Sequence, residues 1–425
     1  MVNNIKTPEV TAIDSNAGNL KWIVPYIGAL IAMMLLQFNN LGFTPLLPSM
    51  VKAWGINNSQ LGFFTGLNGI LSLIMAVPAG LLVVKFGVKK VVYVGLVVVA
   101  LGLSIVALSP NFGMGIFGRI VWMTGYKATF IAVISALAFS TPEKFRGTGF
   151  AINGSMSALA VVLGAPLGSY MTQNYGWQTG MYTYAVLALV GLIIFAVLYR
   201  VPIAKTEPTN AHVNGATNTG EAKRSAYRTP MVWLMALLMF VSTMIGISLT
   251  FFMPTMFTKV YNFKPLEVAV ISSTGFGIGV VVVFLFGFFA DRLRNRKLIL
   301  AIIMGIDIIC GLFMLIPQLS CFEIGVIASL AVSMAIPNLI YAIASQVLAG
   351  RQLGNVIGVV GLGMGAGAYI GPQAVGFFAD MTGHFTAGIY FLTGSAIVSL
   401  ILVLCLNLNK SDKKSDQIIG ASKEV

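Results

Sequence analysis

Long apolar runs separated by short polar breaks recur along the whole 425-residue chain. Each run is long enough to cross a hydrocarbon core, which needs roughly 20 apolar residues in a helix. Strands would leave backbone groups unpaired in lipid, and the alternating pattern of a membrane barrel is missing. The pattern therefore predicts an all-α membrane protein with transmembrane helices over 22–47, 60–84, 91–109, 113–139, 150–171, 180–199, 230–257, 265–290, 298–316, 322–345, 356–378 and 386–407.

Composition and charge agree with a membrane location. Apolar residues make up 57% of the chain and charged residues only 9%, which excludes an ordinary soluble domain. The net charge of +13 could indicate a nucleic-acid partner, but the lysines and arginines cluster in loops on one side of the predicted spans. The other side receives only Lys52, Lys259 and Lys264. We therefore expect an inner (plasma) membrane protein with both termini cytoplasmic and no nucleic-acid partner.

Other classes of chemistry find no support in the sequence. Cys310, Cys321 and Cys405 lack metal-ligand spacing, and His212 and His384 lie in loops, so we expect neither a metal site nor a cofactor. Hydrolase and nucleotide-binding motifs are missing, and the glycine run at 361–371 lies inside a span, where it favours helix packing. An enzyme is not expected.

The chain divides into two related halves. Residues 201–229 are polar and predict a cytoplasmic linker between six-helix lobes at 22–200 and 230–407, with cytoplasmic tails at 1–21 and 408–425. The sequence Pro-Ser-Met at 48–50 recurs as Pro-Thr-Met at 254–256, an offset of 254 − 48 = 206. Gly80 recurs as Gly287 (287 − 80 = 207) and Pro166 as Pro372 (372 − 166 = 206). Nearly one offset at equivalent places predicts a duplication.

Several turns carry a family resemblance. The segments 80–90 and 287–297 resemble the Gly-x-x-x-Asp-Arg-x-Gly-Arg-Lys signature of the major facilitator superfamily, as do Gly118-Arg119, the turn 145–147 and the Gly-Ala-Pro-Leu-Gly segment at 164–168. The resemblance covers essentially the whole chain. It implies a two-lobed carrier in which the first, fourth, seventh and tenth spans line a central cavity and the lobes rock to give alternating access.

The same resemblance implies a conformational latch at the cytoplasmic face. Val84 replaces the usual aspartate in the first signature, whereas Asp291 keeps it in the second. We expect Asp291 to pair with Arg292 or Arg351 where the eighth, tenth and eleventh spans meet. The full set of latch candidates is Gly80, Gly87, Asp291, Arg292, Arg351 and Arg146. The fifth span matches the antiporter-associated Gly-Pro motif only in part.

Apart from Arg119, Lys127 and Asp307, the interiors of the predicted spans are free of charge. Such residues are costly in hydrocarbon, about 2.5–3.5 kcal/mol for a lysine at a helix centre, and usually mark function. A stripe along one face of the fourth span consists of Arg119, Trp122, Tyr126, Lys127 and Phe130. Two interpretations of Lys127 stay open: a cation that faces the substrate, or a structural partner of a carboxylate such as Asp307.

Neutral polar residues on the other expected cavity helices are Gln37 and Asn40, Thr243, and Ser333, Asn338 and Tyr341. Together with the stripe residues they predict a site for a small organic or inorganic anion. The chain resembles bacterial carriers of cyanate and nitrate type, but it lacks arginines in the second and eighth spans, where nitrate carriers bind their substrate.

We therefore predict a secondary active transporter that acts as a monomer in the lipid bilayer, by proton symport or by anion exchange. Protons could be carried by Asp307, by Lys127 or by the acid group of the substrate. A proton-driven exporter of hydrophobic drugs is one alternative, and a solute sensor without transport activity is another. The substrate, the direction and the coupling ion stay open.

Overall fold

Every regular element in the described part of the chain is a helix. The structure is a computed structural model that describes residues 22–141, 146–199, 230–292, 296–347 and 353–406. In span order, the helices are Ile23–Asn40, Thr44–Leu46 and Leu47–Trp54 (first span), Asn58–Phe86, Val88–Leu108, Phe112–Ser140, Arg146–Tyr175, Trp177–Leu198, Pro230–Tyr261, Pro265–Arg292, Arg296–Leu315, Leu319–Ser333 with Ile336–Val347 (tenth span), Leu353–Thr382 and Thr386–Cys405.

The helices match the predicted architecture. Within the described residues, 11 stretches are long and apolar enough to cross a membrane. The fifth span, Arg146–Tyr175, is 30 residues long but is rich in glycine and serine, so it is less apolar than the others. With this helix included, a helix or a broken pair of helices is present for each of the twelve predicted spans. The predicted all-α membrane fold is confirmed.

Two spans are broken, although the sequence predicted one helix for each. The first helix ends at Asn40 and resumes as a 3-10 turn at Thr44, next to two prolines that donate no backbone hydrogen bond. The hydroxyl of Tyr184 on the sixth span donates to the carbonyl of Gly42 at 2.6 Å and to that of Gly164 at 2.9 Å. A side chain thus satisfies a carbonyl group that the helix break leaves without a backbone partner. The tenth span breaks at 334–335.

Two seams join the N-terminal lobe to the C-terminal lobe. The second span packs against the eleventh, and the fifth packs against the eighth. In the second of these seams the Ser273 hydroxyl donates to the carbonyl of Val162 at 3.1 Å. Exchanging the two halves of the chain converts one seam into the other, which is the arrangement expected of a duplicated six-helix unit.

Contacts between the lobes are dense at one end of the second and eleventh spans. We call the end that holds turns 55–57, 109–111 and 383–385 the outer end, following the orientation predicted from the lysines and arginines. Close contacts between the second and eleventh spans run from Gly376 at this end to Gly365 near the middle. The outer half of this seam is therefore closed.

Close helix packing in the N-terminal lobe generates a stability prediction. A methyl group at Gly102 on the third span would lie 2.6 Å from Cβ of Trp122, whereas one at Gly305 would meet open space. We expect Gly102→Ala to destabilise the protein by about 1–3 kcal/mol through overpacking. The matched control, Gly305→Ala, should be neutral or slightly stabilising because alanine favours a helix. Thermal unfolding of both variants in one detergent tests this, and equal melting temperatures would contradict it.

Candidate functional site

The fourth span positions most of the candidate residues. Its helix, Phe112–Ser140, begins after Asn111, whose Oδ1 accepts a hydrogen bond from the backbone N–H of Met114 at 3.0 Å. Because the helix continues without a break through Phe130, the predicted stripe keeps its helical spacing. Tyr126 and Phe130 stack with ring centroids 5.9 Å apart. The stripe residues lie against the first and second spans.

Five polar residues from three helices lie at one level of the N-terminal lobe, and we call them the N-lobe polar cluster: Gln37, Asn40, Asn68, Tyr126 and Lys127. The ammonium group of Lys127 donates to Oδ1 of Asn68 at 2.7 Å. The Tyr126 hydroxyl donates to Oε1 of Gln37, while Oδ1 of Asn40 is buried and has no hydrogen-bond partner among the described residues. The first, second and fourth spans are therefore linked by side chains at this level of the lobe.

Lys127 contacts no carboxylate within the described residues. Its hydrogen-bond partner is the neutral amide of Asn68, and its Nζ also lies 5.0 Å from the ring centroid of Tyr126. The side chain is only partly buried. Asp307, the carboxylate that the sequence offered as a partner, bonds within its own lobe instead. The geometry thus leaves the positive charge of Lys127 without a neutralising group in the described part of the chain.

Arg119 occupies an aromatic box nearer the outer end. The guanidinium carbon lies 4.1 Å from the ring centroid of Trp122, 4.7 Å from that of Phe43 and 5.2 Å from that of Phe64. The residue is fully buried, and its three side-chain nitrogens have no hydrogen-bond partner among the residues that the structure describes. Cation–π contacts of about 0.5–2 kcal/mol attract the charge, but they do not replace the hydrogen bonds of a guanidinium group.

The aromatic box is closed by the opposite lobe. Phe43 lies 6.2 Å from Phe251 on the seventh span, measured between ring centroids, and both rings are fully buried. Arg119 and Lys127 lie eight residues apart on the helix of the fourth span. The fourth span therefore presents two cations on one face, one sealed beneath the closed outer end and one partly accessible.

Candidate residues of the C-terminal lobe are not brought together in the same way. The hydroxyls of Thr243 and Ser333 have no hydrogen-bond partner among the described residues. Asn338 is exposed, donates to the carbonyl of Met334 at 3.2 Å, and lines a crevice of about 210 Å³ between the eighth and tenth spans. The Tyr341 hydroxyl faces Sδ of Met364 on the eleventh span at 3.9 Å. We find no hydrogen bond from these residues to the N-lobe polar cluster in the described part of the chain.

Asp307 is buried between the ninth and tenth spans. Its Oδ1 accepts a hydrogen bond from the Ser329 hydroxyl at 2.6 Å, while its Oδ2 has no partner. The ninth span packs mainly against the tenth and twelfth spans of its own lobe. Asp307 therefore lies away from the fourth span and from the seams between the lobes.

Half of the six predicted latch residues fall outside the described side chains: Asp291, Arg146 and Arg351. Gly87 ends the second-span helix with a φ of +80°, which favours glycine, and Arg292 is exposed. At the end of the second signature, Arg296 donates to the carbonyl of Ala342 at 2.7 Å and Lys297 to that of Leu404 at 2.8 Å. These basic residues bind carbonyl groups of the tenth and twelfth spans.

Sequence reasoning missed Asn68 and two of the three rings around Arg119, those of Phe43 and Phe64. The resemblance does not place the second span on the cavity, so its amide at position 68 was not considered. An amide in the interior of an otherwise apolar span is a usable signal because it needs a partner in hydrocarbon. Phe43 and Phe64 offered no such signal, since phenylalanine is common throughout the spans.

Comparison with known proteins gives the family. A sequence profile described as "Major Facilitator Superfamily" matches residues 29–344. The chain is 23% identical over 414 residues to an Agrobacterium vitis protein named "Putative tartrate transporter", covering 90% of this chain and 89% of that protein. It is 24% identical over 400 residues to "Multidrug resistance protein 2" of Bacillus subtilis (strain 168), covering 91% and 95%.

A solved structure shows the same fold. The structure of a bacterial homolog to the human lysosomal transporter Spinster superposes with a TM-score of 0.71 at 14% identity, covering 92% of this chain and 96% of that one. The profile match, the relatives and the shared fold agree with the two-lobed arrangement of helices described above. This chain belongs to the Major Facilitator Superfamily, and it is a secondary transporter rather than an enzyme.

Proposed function

We propose that this transporter carries small organic anions, and that Lys127 and Arg119 provide the positive charge that selects them. The observation that carries the proposal is the pair of cations on the fourth span, neither of which contacts a carboxylate within the described residues. A cationic substrate would be repelled at this face. An anion would neutralise the positive charges of Lys127 and Arg119, which no carboxylate of the described residues contacts.

The neutral groups around Lys127 support an oxygen-rich substrate. Gln37, Asn40, Asn68 and Tyr126 supply amide and hydroxyl groups, which can form hydrogen bonds with carboxylate or hydroxyl oxygens. The name of the Agrobacterium vitis relative refers to tartrate, a small hydroxy-dicarboxylate. We therefore place small hydroxy-carboxylates and dicarboxylates first among the candidate substrates. Export of hydrophobic drugs is the second candidate because of the Bacillus subtilis relative.

Lys127→Ala should weaken anion binding by about one to two orders of magnitude, the loss expected for a charge-assisted hydrogen bond. Lys127→Arg should retain part of the binding but lose turnover, since a planar guanidinium group does not fit the place of a compact ammonium beside Tyr126. Purified variants in liposomes, assayed for uptake of a panel of small carboxylates, sulfonates and inorganic anions, provide the measurement.

Lys52→Ala is the matched control, because Lys52 is an exposed lysine at the outer end. It should bind and transport like the unmodified protein. If Lys127→Ala folds normally and transports the same anion with unchanged affinity, the anion proposal fails. Preferential binding of lipophilic cations by the unmodified protein would then favour drug export.

Proton coupling is tested separately at Asp307. If Asp307 carries the coupling proton, Asp307→Asn should abolish stimulation of uptake by an inward proton gradient and leave anion exchange intact. The amide keeps the size of the side chain and can still bond the Ser329 hydroxyl, so folding should be preserved. Gradient-driven uptake that survives the substitution would assign Asp307 a structural role, as a hydrogen-bonded acid within its lobe.

A further inference from the structure

The carboxylate of Asp380 joins the lobes at the outer end. Asp380 lies near the end of the eleventh span, and Asn58 and Ser59 begin the second span of the opposite lobe. Oδ1 accepts from the backbone N–H of Asn58 at 3.0 Å and from its Nδ2 at 2.8 Å. Oδ2 accepts from the backbone N–H of Ser59 at 2.7 Å and from its hydroxyl at 2.6 Å. One side chain therefore accepts four hydrogen bonds across the seam.

These bonds occupy donors that the second-span helix cannot satisfy by itself. The first N–H groups of a helix have no partner within it, and its N-terminus attracts negative charge. Oδ1 of Asn57 accepts a hydrogen bond from the backbone N–H of Gln60, the third residue of the helix, at 2.8 Å. The backbone N–H groups of Asn58 and Ser59 are left for acceptors of the opposite lobe. Asp380 therefore acts as a helix cap that belongs to the other lobe.

The surrounding contacts allow this approach. A Cβ atom at Gly376, one turn before Asp380, would lie 2.7 Å from the carbonyl carbon of Asn58, so a larger residue there would force the helices apart. Lys259 on the seventh span donates to Oδ1 of Asn58 at 3.3 Å, which adds a further hydrogen bond between the lobes. The closed outer end thus combines close backbone packing with hydrogen bonds centred on one carboxylate.

The symmetry-related seam lacks this arrangement. With the offset of 206, Asp380 corresponds to Asn174, whose Nδ2 donates within its own helix to the carbonyl of Tyr170 at 2.8 Å. With the offset of 207, Asn58 and Ser59 correspond to Pro265 and Leu266. Proline has no N–H group and leucine has no side-chain donor. The start of the eighth span is capped by its own Glu267, which accepts from the N–H of Lys264 at 2.7 Å.

We propose that Asp380, Asn58 and Ser59 form a lock that holds the outer end closed, and that only one of the two seams carries it. Opening the outer end separates the second and eleventh spans, which breaks all four hydrogen bonds and leaves two helix N–H groups uncapped. The lock therefore favours the conformation in which the lobes meet at the outer end. It acts with or without substrate, so it does not depend on the chemical identity of the transported molecule.

Distance measurements between the lobes test the lock. Spin labels are placed at Gln178→Cys and Ser320→Cys, exposed positions at the outer end of each lobe, after Cys310, Cys321 and Cys405 are replaced by serine. Asp380→Ala should add a longer distance and raise the population of the outer-open form by at least about tenfold, as expected when charge-assisted hydrogen bonds are lost. Ser59→Ala, which removes one of the four bonds, should shift the distances in the same direction to a smaller extent.

Asn174→Ala is the matched control at the equivalent position of the other seam, and its distance distribution should equal that of the unmodified protein. Unchanged distances in both Asp380→Ala and Ser59→Ala would overturn the proposal. Equal shifts in Asp380→Ala and Asn174→Ala would overturn the assignment of the lock to one seam. Because these distances are measured without substrate, their outcome is independent of the transport assays on Lys127.

Discussion

The structure depends on one constraint: polar groups inside the hydrocarbon layer have no water to bond and must find partners within the protein. Helices provide partners for the backbone N–H and C=O groups, and side chains provide partners where a helix breaks. The Tyr184 hydroxyl bonds the carbonyl of Gly42 at the break in the first span, and Asn68 accepts a hydrogen bond from Lys127. Architecture and site follow from the same requirement.

Arg119 is the clearest departure from this requirement among the described residues. Its guanidinium group is fully buried among three rings and makes no hydrogen bond. Burial without partners is unfavourable for such a group, and the proposed anion would supply the missing partner. The box closes where Phe43 meets Phe251 of the opposite lobe, which means that separation of the lobes would change the surroundings of this charge.

Much of the architecture could be predicted from the sequence because apolar length and helical spacing are local properties. The same spacing grouped Tyr126 with Lys127, and Gln37 with Asn40, as candidate site residues. Partners that lie far apart in the chain could not be predicted in this way. Asp380 and Asn58 are 322 positions apart, and no pattern around either residue indicates the other. The helix breaks were missed because apolar composition continues through them and reports hydrophobicity rather than hydrogen bonding.

Two uncompensated cations on one helix also have an electrical consequence. Moving one elementary charge through a whole membrane potential of 100 mV changes its free energy by about 2.3 kcal/mol. In the proposed transport cycle, the charges of Lys127 and Arg119 would change the solution from which they are accessible, and part of that voltage would act on the empty carrier. A bound dianion would cancel both charges and make the loaded transition nearly electroneutral. The membrane potential would then govern chiefly the return of the empty protein, and through it the rate at which successive molecules are carried.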